Sequence, residues 1–567
     1  MWRVALVSVV LLAVWGGLSA RLVQLHLGPN RELREGVRRQ HRIRQNLQVG
    51  RGRILDRNGN TLALDLTHYD IVVTPGEVYS NRQVHVFSSH LSRTLGKDYT
   101  EVFQRINTPH SQYYRLERQA PEGLAERVRR LQLPGMRFDA VNTRQYPQGA
   151  LASHLIGFVN LEGLGSGGTE QRWDSLIKGR AGFRLGEKDG LRREVYSRRS
   201  LEVSPQEGAN VHLTIDQNVQ YFVERGLDYA MTTFHPEAAW AIAQEVRTGA
   251  ILAMATRPTF DPNRYNEFPD EARMNRAIGY NFEPGSIFKV AVVAAAINEG
   301  VVRTNDVFDC ERGLWSYAGR PLRDYRSHGE LDVTGILRKS SNIGAAKIAV
   351  ELGEDRLYRY LREFGVGRRT EIELPGEEAG FLAHPKDWYP ISITRIAMGH
   401  QVSVTALQML NMMCAIGNDG FLMRPYLVQR VVDRDGVVLH QGAPDVIARP
   451  VTERTAALMR TMLTEVTRPG GTGERAAVAG YAVAGKTGTA QKVLPGGGYA
   501  QRENVAAFMG MLPAHRPEIA FIVVLDNPQP LRTGGRTAAE VFALMAKPAA
   551  RYLDIQPSDG AAARGGP

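Results

Sequence analysis

Three short patterns in this chain hold residue types that together do acyl-transfer chemistry. In FEPGSIFKVAVVAAAINEG, Ser286 and Lys289 stand at the head of an apolar run that stops at Gly300. A spacing of three puts both on one helix face. A run apolar on nearly every side predicts a buried helix beginning at Ser286. Burial and nearby positive charge depress a lysine pKa, so its neutral amine can take the proton of a serine nucleophile. In RKSSNIGAAKIAV, Ser340, Ser341 and Asn342 open a second apolar helix. Alone, that cluster reads as a helix N-cap. In GYAVAGKTGTAQK, Lys486, Thr487, Gly488 and Thr489 fall on an alternating strand. A glycine there lets a ligand approach the backbone closely.

The patterns differ in weight. With 21 serines and 10 lysines in the chain, chance supplies roughly 0.4 copies of Ser-x-x-Lys. A second copy does occur, Ser175 and Lys178 in WDSLIKGR. Its flanks are polar, and it reads as a solvated surface segment. Lys-[Ser/Thr]-Gly is expected by chance only about 0.1 times.

The elements that must position these residues are legible in outline. VHLTIDQNVQYFVERGLDYAM predicts a strand and then a helix capped by Asp216. AAWAIAQEVRTGAILAMA predicts a hairpin turning at Thr248-Gly249. VAAFMGML and IAFIVVLDN add two apolar strands, and AAEVFALMAKPAARYL a helix. The expected fold class is α+β: a mainly antiparallel sheet built from distant parts of the chain, with helices packed on it. Upstream, VGRGRILDRNGNTLALDL predicts strand, Asn58-Gly59 turn and strand. Residues 28–205 are expected to form a separate, elongated, basic module of mixed elements, beginning with an Arg-rich helical or extended stretch over 28–48. Residues 206–550 hold the chemistry. Residues 551–567 are expected to be a disordered tail.

At 567 residues, 43% hydrophobic and 23% charged, the chain is neither disordered, nor collagen-like, nor a polytopic membrane protein. Residues 1–205 carry 31 Lys+Arg against 19 Asp+Glu, and the remainder 39 against 40. Such a basic stretch suits nucleic acid, a membrane surface or an acidic polymer. Val4 to Ala20 is an uncharged run, and LVQLHL continues it beyond Arg21. One membrane span over 4–27 is expected, with residues 1–3 as a short cytoplasmic end and Arg21 snorkelling. Signal cleavage after Ala20 would place Leu18 where a small residue is wanted, so the anchor is expected to stay. Arg31, Arg34, Arg38, Arg39, Arg42 and Arg44 follow the span, and the positive-inside rule alone would keep the large domain cytoplasmic. Cys310 and Cys414 fit neither zinc spacing nor a disulfide framework and are read as two separate buried thiols.

Ser-x-x-Lys, Ser-x-Asn and Lys-Thr-Gly occur here in that order, the signature of penicillin-binding proteins and class A β-lactamases. Adding RGRILDRNGNTLA, YPQGALASHLIGFVN, GGTEQRWD, LTIDQNVQ, RTGAILAMATRPTFDPN and MNRAI, the chain resembles a class B penicillin-binding protein from about residue 21 to 550. The resemblance implies a single-pass anchor in the cytoplasmic membrane. It implies a pedestal or dimerisation-like domain over 28–205 and a penicillin-binding transpeptidase domain over 206–550, both on the periplasmic side. That outweighs the flanking charges and places the basic module near anionic lipid or partner proteins, not nucleic acid. A class A β-lactamase is shorter and needs a general-base glutamate, and a bifunctional relative carries a glycosyltransferase domain that 28–205 does not resemble. Glu283-Pro284 and Asn342 look like the division enzymes. GHQVSVTALQ departs from the family's Gly-x-Gly-Gln, with Met398 and His400 around Gly399. The elongation type therefore stays as an alternative. So does a β-lactam-binding sensor or silent scaffold. A sensor would need more than residues 1–3 on the inner side, and a scaffold would be expected to lose Lys289 or Lys486.

By this resemblance Ser286 attacks the carbonyl between two D-alanines of a peptidoglycan stem peptide, and Lys289 takes its proton. The N–H groups of Ser286 and Thr489 form the oxyanion hole. Ser340 relays a proton to the leaving D-alanine, and Asn342 holds the peptide and orients Lys289. Lys486, Thr487 and Thr489 bind the terminal carboxylate, and an amine from a neighbouring stem completes the crosslink. No metal and no cofactor is implied. The implied partners are stem peptides ending in D-Ala-D-Ala, β-lactams, a SEDS-type polytopic glycosyltransferase and other division or elongation membrane proteins.

Overall fold

In the computed structural model, residues 2–27, 42–47, 49–111, 113–188, 194–195, 201–493 and 498–558 are described. The apolar runs become one antiparallel sheet. β1 (Ala238–Glu245) and β2 (Ile251–Arg257) form the hairpin, and Gly249 at its turn takes φ +84°. β3 (Ala484–Val493), β4 (Tyr499–Leu512) and β5 (Ile519–Asp526) complete it in the order β2-β1-β5-β4-β3. β1 and β5 lie together from Ala238 opposite Asp526 to Glu245 opposite Ile519. β3, which carries the Lys486–Thr489 motif, is one of its two edge strands.

Both faces of the sheet are covered, which is why its strands read as unbroken apolar runs rather than alternating ones. The period of two splits them between two cores: Ala520, Ile522 and Val524 enter one, Phe521, Val523 and Leu525 the other. The second core is closed by α1 (Gln217–Phe234) and by a C-terminal helix, Ala538–Tyr552. Asp216 caps α1 as expected, its carboxylate accepting from Asn218 N and Val219 N. The first core is filled by α2 (Lys289–Asn298), α3 (Val333–Lys339), α4 (Asn342–Leu352), α5 (Ala406–Gly417) and α6 (Glu453–Thr467). Every residue of α5 is buried, and a Thr405–Gln408 capping box starts it. Cys310 and Cys414 are free and buried.

The chain divides into two compact units, one of residues 1–49 with 179–207 and one of 50–178 with 208–567. In the first, Trp2–Leu27 is one helix, long and apolar enough to cross a membrane, with no buried residues in its most hydrophobic window. Its strands Arg42–Leu47 and Leu201–Val203 flank Gly182–Lys188, antiparallel on both sides. Of the Arg-rich stretch over 28–48, residues 28–41 and 48 lie outside the described residues. In the second unit, Ile54–Leu55 pairs in parallel with Asn210–Leu213, which pairs with Val428–Val432. That sheet joins residues on both sides of the composition boundary near 205. Within 50–178, two family-like segments are clasped by charge. Glu170, fully buried, accepts from Arg51 Nε and from Arg144 Nε, each at 2.7 Å. Asp174 and Asp65 pair with the same two guanidinium groups. Of the stretch read as a disordered tail, Ile555 is buried and its carbonyl accepts from Tyr481 Oη at 2.9 Å. Residues 559–567 lie outside the described residues.

Candidate active site

The predicted helix at Ser286 forms with one difference. Gly285–Phe288 is a single 3₁₀ turn, and α-geometry begins at Lys289. Such turns are common at helix starts. Gly285, at φ +56°, also lies against the edge strand, where a Cβ would meet Thr489 O at 2.8 Å. On its other side, Gly285 N donates to Gly399 O at 3.2 Å. Ser286 is half-buried at this turn, and Lys289 is fully buried.

Ser340 ends α3 with φ +60°, and Ser341 caps α4, accepting from Gly344 N at 3.0 Å. The left-handed kink lets Ser340 face inward. Its hydroxyl accepts from Lys486 Nζ at 2.9 Å and lies 3.5 Å from Lys289 Nζ. Lys289 Nζ also donates to Ser340 O at 2.7 Å and to Asn342 Oδ1 at 2.8 Å. Asn342 Nδ2 donates to Arg323 O at 2.9 Å. Among the described residues no hydrogen bond joins Ser286 Oγ to Lys289 Nζ; the lysine is held from the α4 side. Such bonds are often long before substrate binds.

The rest of the β3 motif is engaged with the fold. Thr487 Oγ1 donates to Thr472 Oγ1 at 3.0 Å, and Thr489 Oγ1 accepts from Gly534 N at 3.1 Å. A Cβ on Gly488 would lie 3.0 Å from Pro284 O and from Ile287 Cγ2. The close approach made at this glycine is by the turn that carries Ser286. Ser175 and Lys178 stand exposed at a short helix, where Lys178 pairs with Asp174 at 3.6 Å.

Burial pulls the Lys289 amine down from the ordinary lysine value to about 7, against the opposing charge of Asp324 and the Cys310 thiol. Lys486 falls well below the ordinary value, through burial first and the charge of Lys289 second. Two buried amines around one hydroxyl disfavour double protonation. A neutral amine at neutral pH is a base, and a hydroxyl between two amines can pass a proton. The site thus suits proton removal from a serine and proton delivery to a leaving amine.

Sequence reasoning missed several contributors. Asp324 accepts from Ser341 Oγ at 2.7 Å and from Ile343 N at 3.1 Å, yet it lies in a polar loop with no spacing pattern. Gly399 and Thr472 likewise act through contacts with distant segments. The only available signal was the glycine in GHQ.

Residues 239–547 match the penicillin-binding protein transpeptidase domain, and residues 46–213 match the penicillin-binding protein dimerisation domain. The chain belongs to the penicillin-binding protein transpeptidase family. This class B penicillin-binding protein is 33% identical over 561 residues to the peptidoglycan D,D-transpeptidase FtsI of Escherichia coli K12, covering 98% of this chain and 92% of that one. It is 30% identical over 527 residues to the probable peptidoglycan D,D-transpeptidase PenA of Neisseria meningitidis, covering 93% and 88%. A crystal structure of penicillin-binding protein 3 from Mycobacterium tuberculosis, complexed with aztreonam, superimposes with a TM-score of 0.72 at 28% identity, covering 91% of this chain and 98% of that one.

Proposed function

We propose that this penicillin-binding protein is a peptidoglycan D,D-transpeptidase that crosslinks stem peptides in septal wall synthesis. Residues 4–27 anchor it in the cytoplasmic membrane. Residues 28–205 act as its pedestal, and residues 206–550 work on the periplasmic side. A SEDS-type glycosyltransferase is its partner. The observation that carries the reading is the fully buried Lys289, its amine lowered to about 7 and held by Asn342 and Ser340 on the same helix face as Ser286.

Ser286 Oγ adds to the D-Ala–D-Ala carbonyl as Lys289 takes its proton. The N–H groups of Ser286 and Thr489 stabilise the oxyanion. The C–N bond then breaks. The leaving amine takes a proton through Ser340, leaving an ester on Ser286. An acceptor amine attacks that ester, forms the new amide and returns the proton to Ser286. Lys486, Thr487 and Thr489 receive the donor's carboxylate. A β-lactam follows the first half and stops at the ester.

Penicillin adducts located by mass test this. Label is expected on Ser286 alone, absent from Ser286→Ala and retained in Ser175→Ala. Lys289→Ala is expected to slow labelling by about 10²–10⁴, the usual contribution of a general base. Label on Ser175, or labelling of Ser286→Ala, would refute the assignment. Crosslinking of synthetic stem peptides, lost in Ser286→Ala, separates a transpeptidase from a β-lactam sensor.

A further inference from the structure

Arg395 is the one charged residue of the short helix Ser392–Ala397, and every other residue of that helix is buried. Its side chain is half-buried, and Nη2 donates to Pro321 O at 3.2 Å. A guanidinium carries five N–H donors, and among the described residues this is the one hydrogen bond they make. No carboxylate of the described residues pairs with it. Burial lowers its pKa, and the Tyr499 phenol is the group that opposes the fall. Arg51, Arg144 and Arg257, buried arginines of the same unit, each pair with two carboxylates. The acids of the segments around Arg395 are spent elsewhere. Glu283 accepts from Gln401 N at 2.9 Å and from Tyr499 Oη at 3.2 Å, and pairs with His400 at 2.9 Å.

The placement of this guanidinium relates it to the candidate active site. Arg395 O accepts from Met398 N at 3.1 Å and from His400 N at 3.0 Å, so the helix turns directly into the loop whose Gly399 O holds Gly285 N. Pro321 belongs to the strand Arg320–Arg323, and Arg323 O accepts from Asn342 Nδ2 at 2.9 Å. Tyr499, at the start of β4, lies opposite Val493 of β3. Arg395 thus stands between the Asn342 side of the site and the end of β3 away from Lys486. On the proposed roles, the attacked carbonyl meets Thr489 N, and the terminal carboxylate lies back toward Lys486 and Thr487. The residues before the D-alanine pair then run along β3 toward Val493. From Thr489 to Val493 the strand covers about 13 Å, roughly one extended residue plus a long side chain.

We propose that Arg395 is a specificity-determining residue for the donor peptide, receiving a carboxylate on the side chain of the residue that precedes the D-alanine pair. The substrate class is a stem peptide with a diamino-dicarboxylic acid at that position. A guanidinium fork takes a carboxylate through two parallel bonds, which a lysine cannot do. The proposal deepens the transpeptidase reading and rests on it.

Two synthetic pentapeptides ending in D-Ala-D-Ala test it. One has diaminopimelate at the third position, and the other has the same residue with its distal carboxylate amidated, so they match in length and differ in charge. Release of D-alanine, with excess glycinamide as the common acceptor, gives kcat/KM for each. The wild type is expected to favour the carboxylate peptide about tenfold, the size of a charged hydrogen bond. In Arg395→Gln that ratio is expected to fall to about one, because the charged donor is gone. In Arg395→Lys it is expected to fall part of the way, since the charge stays and the fork is lost. A wild-type ratio near one, or a ratio that survives in Arg395→Gln, overturns the proposal. Labelling of Ser286 by benzylpenicillin reports whether each variant is folded. If Arg395→Gln is not, Arg395→Lys carries the test, and an undiminished ratio there overturns the proposal. D-Alanine release that persists in Ser286→Ala would defeat the underlying reading, whereas a wild-type ratio near one with Ser286→Ala silent defeats this proposal alone.

Discussion

Gly399→Ala is a perturbation whose size can be worked from the contacts around Ser286. Gly399 takes φ +79°, and a Cβ there would lie 2.2 Å from Gly285 O and 2.6 Å from Gly285 N. Ordinary contact begins near 3.4 Å, so the two loops must part by about 1.2 Å, and the hydrogen bond from Gly285 N to Gly399 O is lost. Gly285 is bonded to Ser286, and a misplacement of about 1 Å costs on the order of 10² in rate. The left-handed backbone adds a stability cost of about 1–2 kcal/mol for any side chain. Gly300 separates the two effects. It ends the α2 run at φ +71°, with nothing within 4 Å of its Cβ position. Gly300→Ala therefore carries the backbone strain without the collision. The assay pairs the acylation rate with a β-lactam against the thermal midpoint. Both variants are expected to melt lower, and Gly399→Ala alone to acylate about 10²-fold more slowly. A Gly399→Ala protein acylating within about threefold of wild type, or an equal loss in Gly300→Ala, would refute the wedge.

Two further outcomes are expected. On the proposed role of Lys289 as general base, its amine must be neutral to act, and it is lowered to about 7. Acylation should fall about tenfold per pH unit well below that value and level off above it, whereas an ordinary lysine would place the limb near 10.4, roughly its unperturbed pKa. A rate profile with its limb above pH 9 would contradict the burial argument. Glu170→Ala should destabilise the second unit by about 1.5–3 kcal/mol, because Arg51 and Arg144 lose the fully buried carboxylate they share and keep only Asp174 and Asp65 at its edge. Chemical denaturation checks this, and a midpoint unchanged from wild type would show that the network relaxes into water.

Where sequence and structure agree, the signal was local. Asp216 caps α1 because a carboxylate before an amphipathic run has orphan N–H groups within reach. The hairpin turns at Gly249 because that turn needs a positive φ. The run after Lys289 is apolar all round and is buried all round. What stayed hidden was made by residues far apart. Lys486 and Ser340 meet across 146 positions, and nothing in either segment states that distance. The turn at Gly285 lies against Thr489 and Gly399, and neither is a neighbour in sequence. Asp324 carries no periodicity because it is used through its carboxylate, not through burial on a face. The parallel pairing of Ile54–Leu55 with Asn210–Leu213 joins segments that composition divides.

The strand order of the central sheet has a consequence for the newborn chain. β1 needs β5 on its open side, and β3, with Lys486, needs β4. A ribosome that has made everything up to residue 483 has delivered Ser286, Lys289, Ser340 and Asn342, but β1 still exposes an apolar edge able to pair with any other strand. Until the last strands emerge, that half-finished edge is an aggregation hazard. A nascent chain released at that point would therefore lack Lys486 and keep the open edge of β1.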